Sequence, residues 1–221
     1  MHSSEEEQIE AMKKWWRDNG NAVIIGVAVG FGALFGWQGW ERYQNSQAEA
    51  ASAIYANIMA SLQSDNPGSL ESVGVSVDDL QRDYAATPYA GLGSLAGAKA
   101  AVDRNDLDTA RTRLQWVIDN AKQDELVNVA RLRLARLLIV SEEWDAAAKL
   151  LGRSYPASFA GSVDELLGDL YAAQGNVAEA REAYNRALSA EVPPQNRDLI
   201  QIKRDALTEA AESEEADPAN A

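Results

Sequence analysis

The chain has no cysteine and a single histidine, His2. The first absence rules out disulfides, thiolate nucleophiles and cysteine-ligated metal. The second leaves no imidazole for a Ser-His-Asp triad, a general base or a zinc site. Basic residues are scarce as well: 20 Lys and Arg against 34 Asp and Glu give a formal net charge of −14 over 221 residues. That sign is wrong for a nucleic-acid partner, whose phosphates call for a basic face. Carboxylates are plentiful enough for acid–base chemistry in principle, but no spacing singles out a pair. No catalytic residue, metal site or cofactor is expected. The length suits one domain with extensions rather than two independent cores.

Charge is also missing locally, and there the absence is informative. After a polar opening (residues 1–21), Ala22 to Trp40 read AVIIGVAVGFGALFGWQGW, 19 residues without one charged side chain. About 20 apolar residues cross a bilayer core, so residues 22–40 are expected to form a transmembrane helix. A buried core helix of a water-soluble domain is the alternative. The six glycines from Gly20 to Gly39 argue against it, because glycine costs about 1 kcal/mol each in a solvated helix and is better tolerated in lipid. Trp15 and Trp16 precede the run, and Trp37, Trp40 and Tyr43 close it, as interfacial aromatic anchors do. Ala22, Gly26 and Gly30, and again Gly32 and Gly36, stand four apart, a spacing that suits packing against another membrane helix.

Lys13, Lys14 and Arg17 flank the run on its N-terminal side and Arg42 alone on the other. The bias of positive charge toward the cytoplasm then places the N-terminus inside and the remainder outside. Ala51-Ser52-Ala53 resembles a signal-peptide cleavage site but lies well past the apolar run, and the start is acidic, so an uncleaved anchor is the expectation.

Residues 41–210 read as helical throughout, rich in Ala, Leu, Glu and Arg. A helix is expected over 46–64, ended by Asp65-Asn66-Pro67-Gly68, and another over 77–86 with Ser76 and Asp79 as a loose capping box. From about residue 90 the chain repeats itself. The clearest unit, 161–194, resembles a tetratricopeptide repeat, a helix–turn–helix hairpin of about 34 residues. Leu167, Gly168 and Tyr171 occupy the slots of its first helix, and Ala180, Tyr184 and Ala187 those of its second. Gly175-Asn176 makes the turn and Pro193-Pro194 the end. Weaker copies place Ala110 and Ala147 where Ala180 stands, 37 and 33 residues apart, with turns near Asn105 and Glu143. Small residues are required where paired helices cross. Three hairpins make a minimal stack, because each buries its apolar face only against neighbours. The fold class expected is therefore all-α: one transmembrane helix followed by a tetratricopeptide-like solenoid. Residues 195–210 are expected to cap the stack and 211–221 to form an acidic, disordered tail.

The first helices of such hairpins line a concave wall. In this register the wall includes Leu92, Leu95, Lys99 and Val102, then Val129, Leu132, Arg136, Ile139 and Val140, then Ser162, Glu165 and Asp169. Two arrangements fit: an open, partly apolar groove for a partner segment, or a wall covered by the chain's own terminal helices. Arg131, Arg133 and Arg136 suit either an acidic partner or a solvated, salt-bridged helix face. Asp78/Asp79 and Glu142/Glu143 suit helix starts.

The opening EEEQIEAMKKWWRDNGN, the glycine-rich span ending GWQGWERYQ and the repeats, including AVDRNDLDTA and ARLRLARLLIVSEEWDAA, together resemble the YfgM family, ancillary subunits of the bacterial SecYEG translocon. The resemblance implies a single-pass inner-membrane protein with a periplasmic repeat domain. Its implied partners are SecYEG, the membrane-anchored chaperone PpiD, membrane lipid and exported, unfolded polypeptides passing to periplasmic chaperones. It implies binding rather than turnover, and it carries over no individual site residue. A generic periplasmic scaffold for envelope assembly or cell division would share the anchor and the stack.

Overall fold

The structure of the protein, a computed structural model, describes residues 3–64, 68–192, 194 and 196–216. Among these residues there is no strand. The α-helices are α1 (Ser3–Leu62), α2 (Ser69–Asp83), α3 (Pro88–Asp103), α4 (Leu107–Asn120), α5 (Asp124–Val140), α6 (Trp144–Leu151), α7 (Ala160–Ala173), α8 (Val177–Ser189) and α9 (Arg197–Ala216), with a 3-10 turn at Ala157–Phe159. The protein is all-α. It divides into two compact units, Met1–Ala50 and Ala51–Ala221.

In the first unit the charge-free run lies within α1, which is long and apolar enough to cross a membrane (mean hydropathy 1.7). Only 6% of its most apolar window is buried, whereas a core helix of a soluble domain would be mostly buried. Trp15, Trp16, Trp37, Trp40 and Tyr43 are all exposed. At 1.5 Å per residue, Trp16 and Trp37 stand about 32 Å apart along the axis, close to the ~30 Å of a bilayer's hydrocarbon. With about 100° between successive residues, Ala22, Gly26, Gly30, Gly32 and Gly36 share one half of the helix. Val23, Ile24, Val27, Phe31, Leu34 and Phe35 share the other.

In the second unit, consecutive helices from α2 to α9 pack in order, and α5 also neighbours both α3 and α7. That is the connectivity of three stacked hairpins, α3–α4, α5–α6 and α7–α8. Each hairpin turns by the same device. Asn105 (φ 60°), Glu142 (φ 61°) and Gly175 (φ 79°) are left-handed. In each case the amide of that residue donates three residues back and the next amide five back: Asn105 N to Val102 O and Asp106 N to Ala101 O, Glu142 N to Ile139 O and Glu143 N to Leu138 O, Gly175 N to Ala172 O and Asn176 N to Tyr171 O. This is the Schellman arrangement, which satisfies the last carbonyls of a helix. Five residues beyond each turn stands Ala110, Ala147 or Ala180, every one fully buried. At Gly168 the crossing is so close that a Cβ would run into the Tyr184 ring.

The end of α1 belongs to this second unit. Ala51 and Ile58 are fully buried with Val73, Val77 and Leu80 of α2 and Ala90 and Ala100 of α3. Gly93 and Gly97 bring α3 against Leu80 and Val77. The main core joins α3 to α7 around Leu95, Leu114, Leu134, Leu138, Leu166 and Leu170.

Several sequence expectations change. The helix expected at 77–86 is α2, which runs Ser69–Asp83; Ser76 is interior to it and caps nothing. Asp78 and Asp79 lie near its end, pairing with Arg113 and Arg82. Of the acids expected at a helix start, Glu143 is the N-cap residue of α6, though its side chain makes no capping hydrogen bond, and Glu142 lies before that start. Glu142 makes the left-handed turn, and Glu143 pairs with Arg111 of the preceding hairpin. Helix α9 continues to Ala216, past the expected end at residue 210. Asp65, Asn66 and Pro67, expected to stop the helix from the membrane, lie outside the described residues, as do His2, Pro193 and residues 217–221.

Candidate partner-binding surface

The residues expected to line a wall divide into three groups. Leu95 and Ile139 are buried in the core, because α3 and α5 pack closely enough to enclose them. Leu92, Val129 and Leu132 are half-buried, while Lys99, Val102, Arg136 and Val140 are exposed. In the last hairpin, Glu165 is buried and Ser162 and Asp169 are half-buried.

That last stretch is occupied by α9 and the loop before it. Asn196 Nδ2 donates to Glu165 Oε1 at 2.7 Å, and Lys203 Nζ lies 2.7 Å from Asp169 Oδ1 and 3.6 Å from Glu165 Oε1. Tyr184 donates its hydroxyl to Asp169 Oδ1 at 2.7 Å. Burial first, and then Asp169, push the Tyr184 phenol above its ordinary pKa. Lys203 also lies over the Tyr184 ring, 5.9 Å from its centre. A buried carboxylate is tolerated when it is paired and hydrogen-bonded, and Glu165 is both. Its environment is that of a structural ion network, closed by the chain's own terminal helix.

Between α3, α4 and α5 lies a pocket of about 240 Å³. Its floor is apolar (Ala98, Val102, Leu114, Leu137) and its rim cationic (Lys99, Arg133, Arg136). The three cations differ in what they meet. Lys99 Nζ is 2.6 Å from Asp103, and Arg136 is 3.4 Å from Glu165. Arg133 Nη1 donates to the Leu95 carbonyl at 3.3 Å, and among the described residues no carboxylate lies within 4 Å of it. Although the Arg133 side chain is exposed overall, desolvation of its guanidinium, reinforced by Arg136, lowers its pKa; it remains cationic. Arg131 donates to Asn128 at 3.2 Å. Of these three arginines of α5, Arg136 alone has a carboxylate within 4 Å among the described residues.

A family described as Tetratricopeptide repeat-like domain matches residues 13–209, taking in both the anchor and the repeats. The protein named ancillary SecYEG translocon subunit in Escherichia coli (strain K12) is 30% identical over 92% of this chain and 96% of its own length. Its namesake in Neisseria gonorrhoeae is 32% identical over 93% of this chain and 98% of its own length. The chain belongs to this family. A third member, from Haemophilus influenzae, is 27% identical over 83% of the chain and 88% of its own length. No solved structure matches.

The glycines of the span, Gly26, Gly30, Gly32 and Gly36, have nothing within 4 Å of the position a Cβ would take, and Ala22 is exposed. Within this chain, then, the small-residue half of α1 meets no partner among the described residues. Sequence reasoning missed Asn196 and Lys203, whose pairing with Glu165 and Asp169 spans 31 and 34 residues. The acids at 165 and 169, four apart on one helix face, were the available signal for a basic residue elsewhere.

Proposed function

We propose that the protein is a single-pass inner-membrane subunit that associates with the SecYEG translocon through α1 and holds its repeat domain on the periplasmic side. The observation that carries this reading is that the match to the named translocon subunits covers almost their whole length, anchor and repeats together. The cluster Lys13, Lys14 and Arg17 before the span, against Arg42 after it, supports the orientation. The exposed aromatic rungs at bilayer spacing support permanent residence in lipid. The small-residue half of α1 is the surface on which a translocon helix would pack, since lipid offers no hydrophobic drive and close backbone approach must supply the contact. On this reading the repeat domain receives exported, still unfolded polypeptides and passes them to periplasmic chaperones together with PpiD, the function that the family resemblance implies. Binding at the repeat hairpins, rather than turnover, is the means.

The test is site-specific photocrosslinking from α1 in membranes, with the probe at Gly30 on one face and at Phe31 on the other. Adducts to the translocon from position 30 and mainly lipid from position 31 are expected. Equal labelling from both faces, or none of the translocon, rejects the association. Protease added to spheroplasts should degrade the repeat domain; a protected domain rejects the orientation.

A further inference from the structure

The rim of the α3–α5 pocket contains a charge without a counterpart. Arg133 is partly desolvated, faces the like charge of Arg136, and has one carbonyl as its recorded acceptor. A guanidinium at the pocket rim that meets a carbonyl but no carboxylate keeps donors for a two-pronged contact with an incoming anion. Directly below lies an apolar floor. At about 240 Å³ the cavity falls short of the ~300–1,000 Å³ of small-molecule sites, a size for one or two side chains. The molecule as a whole is strongly acidic, so polyanions are repelled at a distance and a lone carboxylate is favoured over them.

We propose that this pocket takes one Asp or Glu side chain of an extended partner polypeptide, held by Arg133 and Arg136, with the adjacent apolar side chain seated on the Val102–Leu137 floor. The inference rests on reading the protein as a binding subunit and deepens it. The expectation of a merely apolar groove becomes one of a paired acidic and apolar anchor.

The test uses the full-length protein in mild detergent. The probe is a fluorescein-labelled, C-terminally amidated peptide, Gly-Ser-Leu-Glu-Leu-Ser-Gly, read by anisotropy. Replacing its Glu by Gln should weaken binding at least tenfold. Arg133→Gln should do the same, as should Val102→Asp, which places a like charge on the pocket lining at a position exposed enough to accept it. Raising salt should weaken the Glu peptide more than the Gln peptide. If Arg133→Gln does not fold, the Glu/Gln comparison on unaltered protein and the Val102→Asp variant still decide. Equal binding of the two peptides, full binding by Val102→Asp, a requirement for a free C-terminal carboxylate, or displacement by millimolar inorganic phosphate would each overturn the proposal. Translocon association, read separately by crosslinking from α1, should persist in both variants. Its loss from the unaltered protein would reject the function above while leaving the peptide result standing.

Discussion

Glycines four residues apart occur in both units and do opposite things. In α1, Gly26, Gly30, Gly32 and Gly36 border open space. In the repeat domain, Gly93 and Gly97 admit Leu80 and Val77 of α2, and Gly168 admits the ring of Tyr184. The same residue type thus records a close contact in one unit and unfilled space in the other. What separates them is the surrounding sequence. The α1 glycines sit in a charge-free run, with Val23, Ile24, Val27, Phe31, Leu34 and Phe35 on the opposite half of the helix and Ile25 and Val29 among the glycines. Gly168 sits between Leu166 and Leu170, which are fully or almost fully buried in the shared core.

The strongest way to break this contrast is to add a methyl group at each kind of site. Gly168→Ala should destabilise the repeat domain by about 3 kcal/mol, the upper range for overpacking, because an aromatic ring cannot bend aside. Gly30→Ala should leave its unfolding unchanged. Urea denaturation followed by circular dichroism reads both. Combining Gly168→Ala with Tyr184→Ala should give a cost well below the sum of the two single costs; simple additivity would mean that the ring is not the obstacle.

This contrast also shows what could be read in advance. The alanines at 110, 147 and 180 and the turns between hairpins were legible because both are local: a crossing needs a small residue, and a reversal needs a left-handed one. The start of α2 was not legible, since it opens behind Gly68, which has no side chain to cap with, and Ser76 mimicked a cap inside the helix. The closure of the last hairpin by α9 was hidden for another reason. It depends on Lys203 meeting Asp169 across 34 residues, and no periodicity announces a pairing of that range. The loneliness of Arg133 was equally invisible, since its neighbours Arg131 and Arg136 look the same in the sequence and differ only in what they meet.

The three hairpin turns offer a finer comparison of medium size. Gly175 occupies the left-handed position that suits it, whereas Glu142 holds nearly the same φ with a side chain. A left-handed residue with a Cβ costs roughly 1 kcal/mol or more relative to glycine. Glu142→Gly should therefore raise stability by about 1 kcal/mol and Gly175→Ala lower it by a similar amount, both by urea midpoint. A stabilising Gly175→Ala would show that the last turn is not held left-handed.

The smallest effect concerns the start of α4. Asp106 accepts the amide of Thr109 at 3.1 Å, and Thr109, through its side chain and then its backbone, holds the Asp106 carboxyl below its ordinary pKa. A depressed carboxylate stabilises the fold fully above its unfolded value of about 3.9 and loses that contribution as pH falls through the lower folded value. The Tm gap between the unaltered protein and Asp106→Ala should accordingly be widest at neutral pH and narrow below about pH 4. A gap that ignores pH would mean that the carboxylate's charge contributes nothing at this cap.

Helix α9 buries Ile200 completely in the cluster with Ala180, Tyr184, Ala187 and Leu188 of α8, while Lys203 seals the polar side. A repeat stack is open-ended by construction, since any hairpin presents a face that another hairpin fits. A single helix lodged there, with Lys203 turned toward Glu165 and Asp169, fills the face of the last hairpin that a further hairpin would otherwise take.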